Sequence, residues 1–156
     1  MSRFTSHLGL RLLEYSDGSA LTRSGLALWH HTEPLSWEWG EKGSGLFITV
    51  PAFNPAGLTD DELSAIAKGV SNPPGVTDLL SIPKKFRWLF APSGPAVKAG
   101  ALHDYLYKTR GLSGHYTRQQ CDDIFYEAMV AVKVEALQAW AIYQGVRLGG
   151  NRGWGS

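Results

Sequence analysis

Residues 101–107 read Ala-Leu-His-Asp-Tyr-Leu-Tyr, and this segment decides the fold that we expect of the chain. Apolar residues recur in it at helical spacing, and Pro95 suits a first helical turn because its missing N–H costs nothing there. Gly111 is typical of the residue that follows a helix, so we expect a helix from Ser93-Gly-Pro95 to about Arg110. The helix places a His and an Asp about 100° apart around its axis. Both groups are costly to bury without partners, which makes the segment a candidate for chemistry.

A second helix follows after a short loop. Thr117-Arg-Gln-Gln120 has the pattern of a capping box, with Tyr116 placed to pack over the first turn. The apolar pattern predicts one helix running to about Val146, with an interruption near Gly145. Such a helix would be roughly 40–45 Å long. Because the connecting loop is short, the two helices should pack antiparallel.

The first third of the chain is predicted to be β structure. Leu8–Tyr15 and Leu21–His31 flank a turn sequence, which indicates a hairpin. Leu35–Trp39 alternates apolar and polar residues as a half-buried strand does, and Leu46–Val50 is the clearest strand of the chain. We therefore expect an α+β fold, with a small antiparallel β meander followed by two long antiparallel helices that carry a His-Asp site.

The remaining segments are assigned to one domain, residues 1–148, with a flexible tail at 149–156. Within it, the capping box Thr59-Asp-Asp-Glu62 starts a short helix in a surface insertion at about 55–74. Residues 75–83 read as an extended segment, and Lys84 to Phe90 as a short helical turn carrying Trp88.

Composition excludes several classes of protein. The formal net charge is +1 over 156 residues, so no basic tract supports general nucleic-acid binding. The single cysteine, Cys121, excludes a disulfide framework and a cysteine-based zinc site. The N-terminus lacks the apolar core of a signal peptide, and the most apolar stretch is broken by Lys133 and Glu135. We therefore expect a soluble protein without a membrane span.

The candidate site is built on the helix pair. Gly100, His103, Asp104 and Tyr107 are spaced by three or four residues, so we expect them to share a face. Asp122 shares an apolar face with Phe125, so Asp122 should point inward. In an antiparallel pair Asp122 can accept a hydrogen bond from one nitrogen of His103 and leave the other nitrogen free as a base.

Two further acids are candidate metal ligands. Asp104 would hold a hard cation, and Asp78, in a segment flanked by Gly and Pro with spare carbonyls, is the best second carboxylate. Calcium is the expected ion and zinc the alternative. The metal would polarise a carbonyl while His103 takes a proton from water, which indicates a hydrolase. Ser81 lies in no nucleophile-elbow sequence, so its place is a supporting one.

Three motifs in order carry a resemblance. Val-Thr-Asp-Leu-Leu-Ser-Ile-Pro at 76–83, Leu-His-Asp-Tyr-Leu-Tyr at 102–107, and Arg118-x-x-x-Asp122-x-x-Phe125-x-x-x-Met129 resemble an uncharacterised family of tailed-phage and prophage proteins. The similarity runs from about Phe47 onward and departs from the family pattern at the insertion. It implies a location in the bacterial host cytoplasm or in the virion.

More distantly, the helix pair resembles secreted phospholipases A2 of the bacterial and fungal kind, over about 50 residues. The resemblance implies His103 as base, Asp104 and Asp78 as calcium ligands, Asp122 as the acid that orients His103, and Tyr107 as a supporting residue. Disulfides and the glycine-rich calcium loop of the animal enzymes are missing from this sequence.

Three functions follow from these patterns. The first is a metal-dependent hydrolase that acts on an ester, with phospholipid as a candidate substrate. The second is a phage virion or assembly protein, in which the His-Asp core is structural and phage structural proteins are the partners. The third is a zinc-dependent cell-wall hydrolase, ranked last because the region offers few nitrogen or sulfur ligands.

Overall fold

A computed structural model describes residues 2–79 and 95–154 of the chain. The predicted α+β class is confirmed. The described residues form eight short strands and four helices. All strand pairs are antiparallel, and the strands form three small sheets instead of the single meander that was expected. The strands are β1 (Arg3–Phe4), β2 (Leu10–Leu12), β3 (Thr22–Arg23), β4 (Leu26–Ala27), β5 (Trp29–His31), β6 (Leu35–Glu38), β7 (Phe47–Val50) and β8 (Val76–Thr77). The helices are α1 (Asp60–Ala67), α2 (Ala96–Lys108), α3 (Arg118–Ala131) and α4 (Ala136–Gly149), followed by a 3₁₀ turn at Gly150–Gly153.

The two larger sheets each pair strands that lie far apart in the sequence. One sheet has the order β1-β6-β7, the second has the order β2-β5-β8, and β3 and β4 form a hairpin of their own. The hairpin lies within the run Leu21–His31, which was expected to be a single strand. The turn that divides this run is Ser24-Gly25, where both residues have positive φ, at 52° and 79°. Two consecutive left-handed residues are the requirement of a tight type I′ turn.

The main core lies between the first sheet and the helices. Leu35, Trp37, Ile48 and Val50 alternate inward along β6 and β7, and they pack on the apolar faces of α2, α3 and α4. This alternation is the pattern from which the two strands were predicted, and it places the helix pair directly on the sheet.

A second, smaller core lies beneath α1. Leu63 and Ile66 of this helix are buried with Leu13, Leu21 and Leu28. The helix starts at the predicted capping box, because Thr59 and Glu62 exchange both hydrogen bonds. The segment assigned to a surface insertion thus covers apolar side chains of the β structure.

The second long helix is shorter than expected. It starts at the predicted capping box of Thr117 and Gln120, but it ends at Ala131. Lys133 takes a positive φ of 67°, and α4 then turns back to pack against α3. The predicted single helix to Val146 is therefore wrong. No Gly or Pro marks the break, and its physical reason is that Ala139, Ile142 and Val146 reach the same core as α3 only after a reversal.

The helix α2 also ends earlier than predicted, at Lys108 instead of Arg110. A left-handed turn at Arg110–Gly114 follows, with positive φ at each residue from 110 to 114. Within it only a glycine fits at position 111, since a Cβ there would lie 2.0 Å from the carbonyl oxygen of Tyr116. Non-glycine residues in this conformation cost about 1–2 kcal/mol each, so the turn stores strain.

Two further expectations concern the ends of the described ranges. In the tail expected to be flexible, Gly150–Gly153 form a 3₁₀ turn, and the Trp154 ring packs edge-on against Tyr107 with centroids 5.2 Å apart. The predicted helical turn from Lys84 to Phe90 and the supporting residue Ser81 lie outside the described residues. Among the helices that are described, none is long and apolar enough to cross a membrane.

The burial of α1 leads to a first prediction. Leu63→Ala removes a side chain that is 5% exposed in the smaller core, and we expect it to lower the free energy of unfolding by about 2–4 kcal/mol. Urea denaturation followed by circular dichroism measures the change. Val70→Ala is the matched control, because Val70 is 82% exposed just beyond the same helix. Equal, small losses for both variants would mean that α1 is a dispensable surface segment.

Candidate functional site

The centre of the site is a buried hydrogen bond between two helices. Nε2 of His103, in the middle of α2, donates to Oδ1 of Asp122, in the first turns of α3, over 2.9 Å. His103 is 1% exposed and Asp122 is 0% exposed. The predicted contact between these two residues is therefore present, and Asp122 points inward as its apolar helical face indicated.

Aromatic rings hold the imidazole in place. The His103 ring stacks on Phe125 with centroids 4.3 Å apart, and it lies 4.1 Å from the ring of Tyr107. Tyr107 also donates its hydroxyl to Oδ1 of Asp122 over 2.6 Å. Burial and this bond to a carboxylate raise the pKa of the Tyr107 hydroxyl, so it remains a donor. Tyr107 therefore contacts both His103 and Asp122.

Two arginines complete the surroundings of Asp122. The guanidinium of Arg147, in α4, donates to Oδ2 over 2.7 Å, and Arg118 lies 3.8 Å from the same oxygen. Burial alone would raise the pKa of the Asp122 carboxyl, but the bonds from His103, Tyr107 and Arg147 outweigh burial and hold it below its usual 3.8. Asp122 is thus a buried carboxylate that remains charged.

These arginines were not predicted as site residues. Arg118 precedes Asp122 by four residues on one helix, and this spacing is a signal that could have found it. Arg147 is 25 residues further along the chain, and its approach depends on the reversal between α3 and α4. Gly150 is a third unpredicted neighbour, because a Cβ there would lie 2.6 Å from the Tyr107 hydroxyl.

Asp104 faces a different part of the molecule. Its carboxylate lies 3.6 Å from the ammonium of Lys108, one turn later on α2, and that ammonium also donates to the carbonyl of Val76 in β8. Asp104 therefore lies toward the second sheet, while His103 lies toward α3. The structure brings His103 and Asp122 together, and it places Asp104 on the neighbouring side of α2.

The remaining predicted ligand, Asp78, is half-buried in the segment just after β8. Within residues 2–79 and 95–154, no three or more His, Cys, Asp or Glu side chains form a group that could hold a metal ion. Calcium takes six to eight oxygen ligands, and Asp104 already has an ammonium against it. The described residues thus do not supply the set that calcium needs, and calcium, with zinc as the alternative, stays a prediction from sequence.

Cys121 and His31 are two further buried groups near the site. Burial, and secondarily the Asp122 charge, raise the pKa of the Cys121 thiol to about 12, so it is not a nucleophile at neutral pH. His31 of β5 is 1% exposed, and neither ring nitrogen has a hydrogen-bond partner among the described residues. Its neighbour His30 points the other way and donates Nδ1–H to the carbonyl of Phe53 over 2.7 Å.

A groove of about 800 Å³ opens beside the network. It is lined by three cationic side chains, those of Lys108, Arg110 and Arg118, together with the left-handed turn and the ring of Trp154. Arg118 and Trp154 contact Asp122 and Tyr107 respectively, so the groove adjoins the buried site. Its cations favour an anionic ligand.

The fold and the site define an α+β domain with a buried His-Asp pair, in which the Asp122 carboxylate is charged, at the crossing of two helices. A family model described as "Protein of unknown function (DUF1353)" matches residues 63–146, just over half of the chain. The chain belongs to this family. The matched segment includes His103, Asp104, Tyr107 and Asp122, and it ends one residue before Arg147.

A comparison with curated proteins gives no match, and a comparison with solved structures gives none either. The resemblances to tailed-phage proteins and to phospholipases A2 therefore remain predictions from the sequence motifs.

Asp122→Asn provides a test of the network. Loss of the charge leaves Arg147 without its partner, and we expect the free energy of unfolding at neutral pH to fall by about 3 kcal/mol. Because the folded pKa of Asp122 lies below 3.8, its contribution is present above that pH and is lost as the pH falls through the lower folded value. Urea denaturation at neutral and at strongly acid pH should show the difference shrinking in acid. Asp123→Asn is the control, and equal losses for both variants would contradict a special role for Asp122.

His31 generates a separate pH prediction. Burial lowers its pKa from 6.5 to about 4, with Lys108 and His30 acting in the same direction and Asp104 opposing them. Between pH 6.5 and pH 4, His31 therefore binds a proton in the unfolded chain but not in the folded chain. The free energy of unfolding should fall by about 3 kcal/mol as the pH drops from 6.5 to 4. His31→Leu should flatten this part of the stability profile, whereas His115→Gln, at an exposed loop position, should not. An unchanged slope in His31→Leu would show that His31 is not the titrating group.

Proposed function

We propose that the protein is a hydrolase in which His103, oriented by Asp122, activates water for attack on an ester. The observation that carries the proposal is the bond of 2.9 Å from Nε2 of His103 to Oδ1 of Asp122. In a neutral imidazole whose Nε2 is the donor, Nδ1 holds the lone pair and is the basic nitrogen. The pair is therefore suited to general-base catalysis.

The chemistry follows from this tautomer. Nδ1 takes a proton from water as the water oxygen bonds to the ester carbonyl carbon, and the imidazolium that forms is stabilised by the Asp122 carboxylate. When the tetrahedral intermediate collapses, the bond to the leaving alkoxide breaks and the imidazolium returns the proton to it. Tyr107 and Arg147 hold the carboxylate in place through their own bonds to it.

The groove beside the network supports an ester that carries an anionic group, and phospholipid is a candidate of this kind. Lys108, Arg110 and Arg118 line it, although Lys108 lies 3.6 Å from Asp104 and Arg118 lies 3.8 Å from Asp122. Cations at such a position favour a phosphate-bearing substrate over a neutral one. A metal ion is part of the prediction from sequence, but the described residues supply no complete ligand set, so no step above depends on one.

His103→Gln is the direct test. We expect it to lower the hydrolysis rate of short-chain aryl esters and of anionic phospholipid vesicles by about 10²–10⁴-fold, the usual contribution of a general base. Rates are measured with calcium, with zinc and with a chelator, which tests the metal predictions in the same experiment. His115→Gln is the matched control and should retain the full rate. A folded His103→Gln protein with unchanged rates would overturn the proposal, and so would a wild-type protein inactive on both substrates under all three conditions.

The second candidate is a virion or assembly protein in which the His-Asp network is structural. The observation that favours it is the near-complete burial of His103 and Asp122, with both carboxylate oxygens of Asp122 already engaged. If this is the function, His103→Gln lowers the free energy of unfolding. Neither the wild-type protein nor the variant then hydrolyses esters or isolated cell walls. The third function, a zinc-dependent cell-wall hydrolase, is tested by measuring the hydrolysis of isolated cell walls in the presence of zinc.

A further inference from the structure

A second groove lies beside α3 and α4, and none of the residues of the His103 network line it. Two adjoining depressions, of about 390 and 440 Å³, share Trp39, Tyr126 and Glu127. We call this surface the aromatic groove and define it by its rings and acids: Trp39, Tyr126, Trp140, Tyr143, Glu41, Asp123 and Glu127. It shares no lining residue with the cationic groove described above.

Part of the aromatic groove is held by a ring contact and hydrogen bonds. Tyr126 and Tyr143 meet edge to face with centroids 5.5 Å apart, and the Tyr143 hydroxyl donates to Asp123 over 2.6 Å. The backbone of Trp39 is held by the β6–β7 turn, through bonds to Leu46 and Ser44. These contacts fix the Tyr126–Tyr143 pair and the backbone of Trp39, which lowers the ordering cost of binding.

Trp140 completes the groove from α4 and is 54% exposed. A large aromatic side chain left in water beside three others is unusual on a monomeric surface, and such patches mark binding sites. The size of each depression lies in the range of small-molecule sites. Exposure, preorganisation and volume together indicate a ligand that covers Trp140.

Charge decides the class of that ligand. The carboxylates of Asp123 and Glu127 line the groove, and among the described lining residues there is no Lys or Arg. Ring faces carry negative potential and attract cations within about 6 Å, most strongly when carboxylates lie nearby. A neutral sugar would gain from the rings but not from the charges of Asp123 and Glu127.

We propose that the aromatic groove binds a small organic cation of the quaternary-ammonium type. The methyl groups of such a cation contact the faces of Trp39, Trp140 and Tyr126, and its charge is balanced by the carboxylates at the edges. The proposal is independent of ester hydrolysis, because it uses none of the residues of the His103 network.

The test compares a cation with its neutral isostere. Choline is titrated into the full chain by isothermal calorimetry and by nuclear magnetic resonance, alongside the alcohol in which carbon replaces the quaternary nitrogen. We expect choline to bind about tenfold more tightly than the isostere, the range of a partly desolvated cation–π contact. Equal binding of the two would overturn the proposal by showing that shape alone is recognised, and so would binding of a neutral methyl glucoside in place of choline.

Single substitutions test whether choline binds in the aromatic groove. Trp140→Ala and Glu127→Gln should each weaken choline binding by about tenfold, because each removes one half of the recognition and both side chains are exposed enough to leave the fold intact. Leu137→Ala is the matched control, since Leu137 is 69% exposed on the same helix but does not line the groove. Unchanged affinity in Trp140→Ala would overturn the proposal, as would failure of wild-type protein to bind choline. His103→Gln should bind choline normally, so a failure of ester hydrolysis and a failure of this site are separate results.

Discussion

The helical part of the molecule depends on one buried carboxylate. Asp122 has no contact with water, and a charge in that position is tolerated only when donors satisfy it. Donors come from α2 through His103 and Tyr107, and from α4 through Arg147. Three helices are thereby required to meet at one point, and this requirement links the antiparallel pair to the reversal that follows it.

The same requirement explains the strained segments around the site. Lys133 adopts a left-handed conformation so that α4 can turn back and bring Arg147 to Asp122. The left-handed turn after α2 reverses the chain within five residues and brings Asp122 opposite His103. Backbone strain of this kind persists only where surrounding contacts over-determine it, and here the contacts include the bonds to the carboxylate and the packing of α4 in the main core.

The site could be predicted in part because its signals are local. A His and a Tyr one turn apart, and an Asp on an apolar face with a Phe three residues later, are enough to place His103, Tyr107 and Asp122 on facing helices. Asp104 was harder to place, since adjacent helical residues point about 100° apart and cannot both face one partner. Its ammonium partner Lys108 lies four residues away on α2, but the extended segment predicted at 75–83 did not show that Lys108 would bond to Val76.

The amino-acid sequence by itself determined the α+β class, strands β6 and β7, the starts of α1 and α3 and the meeting of His103 with Asp122. These features depend on alternation, capping and helical spacing, all of which act over a few residues. Only the tertiary structure decided the three-sheet pairing, the break at Lys133, the position of Arg147 and the two grooves. These features depend on which apolar faces pack together in one core and on which distant charged side chains pair there. Neither can be derived from a pattern that spans only a few residues.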